Sequence, residues 1–169
     1  MCGILIYPKK NNFHKDLAIN LLKHRGPDAF GIEETKDTIF CHTLLQIRGE
    51  LKDSIQPKYS KSKRYLVLFN GQIYNTKYLN DLVNVENDDL DTNYILELLE
   101  KYGIDGINYI DGMFALVIYD FKLNNLFFAR DPSGQKNLYY TFDSKNELII
   151  SSEIYPILKI QNNEVRLSK

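Results

Sequence analysis

The chain has 169 residues, of which 44% are hydrophobic and 25% charged, enough for one domain with a core of its own. Its net charge of −1 gives no electrostatic basis for binding nucleic acid or an anionic membrane. No apolar run approaches the ~20 residues that span a bilayer, no signal-peptide pattern opens the chain, and two cysteines are too few for a disulfide framework, so a reducing cytoplasm is the expected location.

In chain order, residues 3 to 7 form an apolar run that predicts a buried strand, stopped by Pro8 and the polar run Lys9 to Asn12. Phe13, Leu17, Leu21 and Ala18, Leu22 recur at helical spacing and predict about three turns of amphipathic helix. His24-Arg25-Gly26-Pro27-Asp28 ends it, because proline and glycine cannot continue a helix. Short strands are expected around 31–33 and 38–42, and the polar stretch Leu51 to Arg64 reads as an exposed loop. Residues 65 to 69 make a clear strand running into Asn70-Gly71, a turn dipeptide, so the expectation is a β-hairpin tip with Gln72-Ile73-Tyr74 returning. A short helix over 76–82 and an acidic loop over 86–91 follow. A helix from Asp91 or Thr92 to Tyr102 comes next, with an acid near its start to cap it and Gly103 to stop it. Residues 113–121 and 126–130 read as a hairpin, 138–142 and 148–151 as strands, and 154–160 as a short helix before a polar tail. Strands outnumber helices and succeed one another through turns, which argues for an α+β domain of antiparallel sheets with helices on their faces. The strands are too continuously apolar for sheets wetted on one side, so both faces are expected to be covered.

Candidate chemistry is sparse. Three histidines and two cysteines lack metal-ligand spacing, and neither common glycine-rich phosphate loop is present. No Gly-x-Ser-x-Gly elbow occurs. Cys2 is different. If Met1 is removed, one residue carries both a soft nucleophile and an α-amine, whose pKa of about 7.7–8.0 leaves a useful unprotonated fraction near neutrality. Nucleophile and base on one N-terminal residue is a workable catalytic arrangement. Position alone leaves open a cysteine that merely begins a buried strand.

Six short motifs then occur in one order: Cys2-Gly3-Ile4, His24-Arg25-Gly26-Pro27-Asp28, Asn70-Gly71-Gln72-Ile73-Tyr74-Asn75, Asp111-Gly112-Met113-Phe114-Ala115, Arg130-Asp131-Pro132-Ser133-Gly134 with Leu138-Tyr139-Tyr140, and Ser151-Ser152-Glu153. Together they resemble the glutamine amidotransferase domain of the asparagine synthetase family, the class II type with an N-terminal nucleophile. The resemblance covers residues 1–169 and implies the four-layer α/β/β/α fold of N-terminal-nucleophile hydrolases, with two antiparallel sheets between helical layers. It implies that the Cys2 thiol attacks the side-chain amide of L-glutamine while its α-amine moves the proton, releasing glutamate and ammonia. It places an oxyanion hole at Asn70 and Gly71, since the attack builds charge on the amide oxygen. It assigns the substrate ammonium to Asp91, with Ile47 and Gln72 beside the substrate and Arg25 near the thiol.

Two features depart from the family pattern. The family motif is His-x-Arg-Leu, and its arginine grips the glutamine carboxylate. Here the stretch is His42-Thr43-Leu44-Leu45-Gln46-Ile47-Arg48, so Leu44 stands at the arginine's position. A carboxylate buried without a partner costs several kcal/mol, and Arg48 is the candidate to supply the guanidinium instead. The family's large C-terminal synthetase domain is also absent from this chain. ATP and magnesium are expected only there, with no cofactor or metal in residues 1–169, and a synthetase domain or subunit is the expected recipient of ammonia. A regulatory or docking domain that keeps the fold without catalysis, and an N-terminal-nucleophile hydrolase of another amide, are the alternative readings.

Overall fold

The computed structural model describes residues 1–9, 13–85 and 90–161. In chain order the strands are β1 (Gly3–Pro8), β2 (Ala29–Glu34), β3 (Thr38–Leu44), β4 (Lys58–Tyr59), β5 (Tyr65–Ile73), β6 (Gly112–Asp120), β7 (Asn125–Arg130), β8 (Tyr139–Phe142) and β9 (Leu148–Ser151). The α-helices are α1 (Lys15–Leu22), α2 (Leu51–Ser54), α3 (Thr76–Val83), α4 (Asp91–Tyr102) and α5 (Ile154–Gln161), and a 3-10 helix spans Gly103–Tyr109.

Two antiparallel sheets result, one ordered β2-β3-β1-β9-β8 and the other β4-β5-β6-β7. The period of two along each strand divides their side chains between separate cores. From β1, Ile4 and Ile6 pack with Leu66, Leu68, Ala115 and Val117 between the sheets. Leu5 and Tyr7 point the other way, against Ala18, Ile19 and Leu22 of α1 and Ile157 of α5. On the far side, Val67 and Phe69 of β5 pack under Leu79 of α3 and Ile95, Leu98 and Leu99 of α4. Three cores thus separate four layers, helix, sheet, sheet and helix. Both faces of the central strands are apolar because both are buried, and each fully buried Leu or Ile contributes roughly 1.5–3 kcal/mol. Coverage thins at the edge strands β7 and β8, where Phe128, Tyr140 and Phe142 stay exposed.

Several sequence expectations are corrected. Asn70-Gly71 is no hairpin tip: all nine residues of β5 pair with β6, Asn70 opposite Ala115 and Gly71 opposite Phe114. The long-range register overrides the dipeptide's local preference, because the apolar alternation of β5 runs on to Ile73, buried in the same core as Val67 and Phe69. The stretch 51–64 is not simply a loop, since it holds α2 and the short β4 that pairs with Val67 and Leu66. Helix α1 spans eight residues, and its buried face is Ala18, Ile19 and Leu22, with Leu17 exposed. Asp91 lies in the first turn of α4 without capping it, as Leu90 is the cap residue. The 3-10 helix after Gly103 has no counterpart in the expectations. Residues 10–12 of the first polar run, residues 86–89 of the acidic loop and residues 162–169 of the tail lie outside the described residues.

Candidate active site

The N-terminal end of β1 is pinned from three directions. Ile4 N–H donates to Ser152 Oγ (3.0 Å), and Ser152 N–H returns a bond to the Ile4 carbonyl (2.9 Å). Arg25, from the turn after α1, donates through Nε to the Cys2 carbonyl (3.1 Å) and through a terminal nitrogen to Glu153 Oε1 (3.1 Å). His24 Nε2 meets the same oxygen at 2.8 Å. Although burial works against it, these two partners hold the Glu153 carboxyl below the usual carboxylate range. The result is a rigid mount for Cys2.

Cys2 opens onto a cavity of about 240 Å³ at one end of the sandwich. The cavity is smaller than the ~300–1,000 Å³ of drug-sized ligand sites, which suits a single amino acid. Its walls come from the first residues of the chain, the segment 44–48 at the end of β3, the second half of β5, the start of α4, Met113 of β6 and Lys136 from the β7–β8 connection. The Cys2 thiol is half-buried, with the Leu45 carbonyl 3.8 Å from Sγ. Burial pushes the thiol above its ordinary pKa, against the pull of the Arg25 and Lys136 charges. Both cysteines are free thiols, and Cys41 is buried away in the α1 core.

On the same cavity, Asn70 is only 4% exposed, yet its Nδ2 has no hydrogen-bond partner among the described residues. An unused buried donor costs about 1–3 kcal/mol, so an amide kept this way on a cavity wall is available to a ligand. Gly71 adds a second donor by strand geometry. Residues of one parity on a strand direct their N–H groups to the same side. Phe69 N–H donates away from β6 to Gln56 Oε1 (2.6 Å), and Ile73 N–H likewise to Asp91 Oδ2 (3.2 Å). Across the register, the N–H and C=O of Phe114 bond to Asp131 and not to β5. The Gly71 N–H therefore points off the same edge, between Gln56 and Asp91, where the cavity lies. Glycine is required here because an added Cβ would strike the Met113 carbonyl and sit 2.8 Å from Phe114 Cα.

At the far wall, burial raises the Asp91 carboxyl above the ordinary value, opposed by its bond from Ile73 N–H and by the charge of Arg48. Arg48 is exposed and lines the cavity, and the segment carrying it is folded on itself. Asp28 Oδ2 accepts from Gln46 N–H (2.8 Å), Gln46 Nε2 donates to the Gly49 carbonyl (2.8 Å), and Ser54 Oγ donates to the Arg48 carbonyl (3.2 Å). Leu44 is buried on the same wall, an apolar surface where the family pattern has a cation.

The structure thus gathers Cys2, Asn70, Gly71, Gln72, Asp91, Ile47 and Arg48 around one cavity, with Ile47 80% exposed at its rim. Arg25 is not on the wall; it stands behind Cys2 and holds its carbonyl. Sequence reasoning missed Gln56 and Lys136, both on the wall. Nothing in the sequence marks Gln56. Lys136 lies two residues past the Arg130–Gly134 motif, which was the available pointer. Among the described residues no three His, Cys, Asp or Glu side chains gather closely enough to hold a metal ion, and no helix is long and apolar enough to cross a membrane.

Comparison with known proteins assigns the chain to a family. The profile of the family described as "Glutamine amidotransferase domain" matches residues 1–169. A probable glutamine-hydrolysing asparagine synthetase of Dictyostelium discoideum is 36% identical over 168 residues, covering 93% of this chain and 30% of that protein. Asparagine synthetase 1 of Saccharomyces cerevisiae is 37% identical over 146 residues, 82% of this chain and 25% of its own length. Asparagine synthetase B of Escherichia coli is 30% identical over 144 residues, 83% of this chain and 26% of that protein. The chain therefore spans between a quarter and a third of the relatives it matches. With these similarities and the cavity at Cys2, the chain belongs to the glutamine amidotransferase domain family, in the form carried by glutamine-hydrolysing asparagine synthetases.

Proposed function

We propose that this domain hydrolyses the side-chain amide of L-glutamine through a thioester on Cys2. The observation that carries the reading is the Asn70–Gly71 pair of unspent donors on the cavity that holds the thiol. Because burial keeps the thiol protonated, attack needs a base in contact with it. Once Met1 is removed, the Cys2 α-amine is that base. It takes the thiol proton as sulfur bonds to the amide carbon, and it gives the proton to the departing nitrogen as the C–N bond breaks and ammonia leaves. Water, deprotonated by the same amine, then cleaves the thioester to glutamate and restores the thiol. Asn70 Nδ2 and Gly71 N–H receive the oxyanion in both steps; loss of one such donor typically lowers kcat 10²–10³-fold.

Asp91 pairs with the ammonium of the substrate and Arg48 with its carboxylate, replacing the cation absent at Leu44. The ammonia released goes to an ATP- and magnesium-dependent amide-forming domain or subunit, in keeping with the greater length of the matched asparagine synthetases. Glutamate release from glutamine by the Met1-free chain tests the reading. Release that disappears in Cys2→Ala is the expected result, and release that survives the substitution would overturn it.

A further inference from the structure

The connection between β7 and β8 is built around Asp131, a carboxylate only 2% exposed. It accepts from the backbone N–H groups of Gln135 (2.9 Å), Lys136 (3.0 Å) and Phe114 (3.2 Å). Gly134 turns the chain at φ +66°, and its carbonyl accepts from Arg130 (2.9 Å). Residues 131–136 are thereby fixed to β6, and the turn delivers the Lys136 side chain to the mouth of the Cys2 cavity. Its Nζ stops 3.5 Å from the sulfur of Met1, directly over the residue whose removal exposes Cys2. Among the described residues no carboxylate lies within ion-pair distance of this ammonium. Arg25, the other cation near Cys2, is paired with Glu153.

We propose that Lys136 is a positioning residue for the nucleophile, its ammonium biasing both the Cys2 thiol and the processed Cys2 α-amine toward their deprotonated forms. A positive charge attracts a thiolate and repels an ammonium, so one cation acts on both groups in the direction the chemistry needs. The charge of Lys136 does act on the thiol, alongside those of Arg25 and the chain's own amino group. The other titratable groups facing the site are accounted for. Glu153, just before α5, is engaged by Arg25 and His24, and Asp131 by backbone N–H groups. Asp91 and Arg48 occupy the far wall together, and His42 of β3 is buried and uncharged at neutral pH.

The test is the pH dependence of iodoacetamide alkylation at Cys2 in the Met1-free chain, with the adduct mapped by mass. In Lys136→Met the midpoint should move to higher pH and the rate at pH 7 should fall roughly two- to fourfold, as for one charge several ångströms away in a partly solvated site. Lys136→Arg should restore the original profile, and the difference should shrink in about 1 M salt. Lys136→Gln serves as a second neutral variant if Met at this position disturbs folding. Profiles of the neutral variants that coincide with the unsubstituted chain would overturn the proposal. The inference rests on Cys2 as the nucleophile, but alkylation requires no glutamine. A shifted profile without glutamate release would refute the proposed function and leave the role of Lys136 standing.

Discussion

In the proposed mechanism a half-buried thiol, a backbone amine one bond from its own Cα and two donors on the same cavity divide the work of amide cleavage among very few atoms. Cys2, Asn70 and Gly71 were legible in the sequence because each lies in one of the ordered motifs, Asp91 only through the family resemblance, and the fold brings all four to one cavity. At the carboxylate end the sequence shows a gap at Leu44 and offers Arg48 to fill it. Arg48 reaches the cavity because the β3–α2 segment folds back on Asp28 and Ser54, contacts that no local pattern announces. Hydrogen bonds to charged groups are worth roughly 1.5–3 kcal/mol. Arg48→Ala is accordingly expected to raise KM for glutamine about 10- to 100-fold with little change in kcat, and steady-state kinetics checks this. An unchanged KM would remove Arg48 from the clamp. With Asp91 as the proposed partner of the substrate ammonium, its protonation removes that partner, and burial raises the pH at which this occurs, so glutamine affinity should weaken as pH falls into the acid range. Titration calorimetry with the Cys2→Ala chain measures that trend without turnover.

Strand β5 shows at the scale of one element why local signals mislead. Asn-Gly favours a two-residue turn, yet nine consecutive pairs with β6 keep the chain extended through it. The pairing partner lies some forty residues downstream, beyond the reach of any local window. Past the end of short β4, the free edge of β5 is completed by side chains. Gln56 satisfies both the N–H and the C=O of Phe69, at 2.6 and 3.1 Å, and Asp91 satisfies Ile73. Gln56 thus extends the sheet edge up to the point where Gly71 must remain open. Gln56→Leu would leave two buried backbone groups unpaired, at about 1–3 kcal/mol each. Urea unfolding should register a loss of roughly 2–5 kcal/mol, and kcat should fall as the Asn70–Gly71 segment loses its brace. A variant as stable and active as the parent would show that the edge is held by other means.

For the whole molecule, the layered architecture was readable because apolar runs too continuous for one-sided burial imply cover on both faces, and three cores meet that requirement. The packing also buries His42 completely, with both ring nitrogens unpartnered among the described residues and the Phe69 backbone beside the ring short of hydrogen-bond geometry. Burial drives its pKa from 6.5 down to about 4. The folded state therefore binds fewer protons than the unfolded state between these values, and stability must fall as pH drops through that window. The loss from pH 7.5 to pH 5 is on the order of 2 kcal/mol. It should be largely absent in His42→Leu, measured by denaturant unfolding at the two pH values; an unchanged pH slope would contradict this. The same sandwich holds the Cys2 cavity, so the fold and the proposed chemistry meet at the thiol. Hydroxylamine intercepts a thioester and converts it to a hydroxamate, so it reports that intermediate even when it does not accumulate. With glutamine and hydroxylamine, the Met1-free chain should form γ-glutamyl hydroxamate at the expense of glutamate, and Cys2→Ala should form neither. Glutamate release without hydroxamate, or hydroxamate formed equally by the Cys2→Ala chain, would contradict catalysis through Cys2.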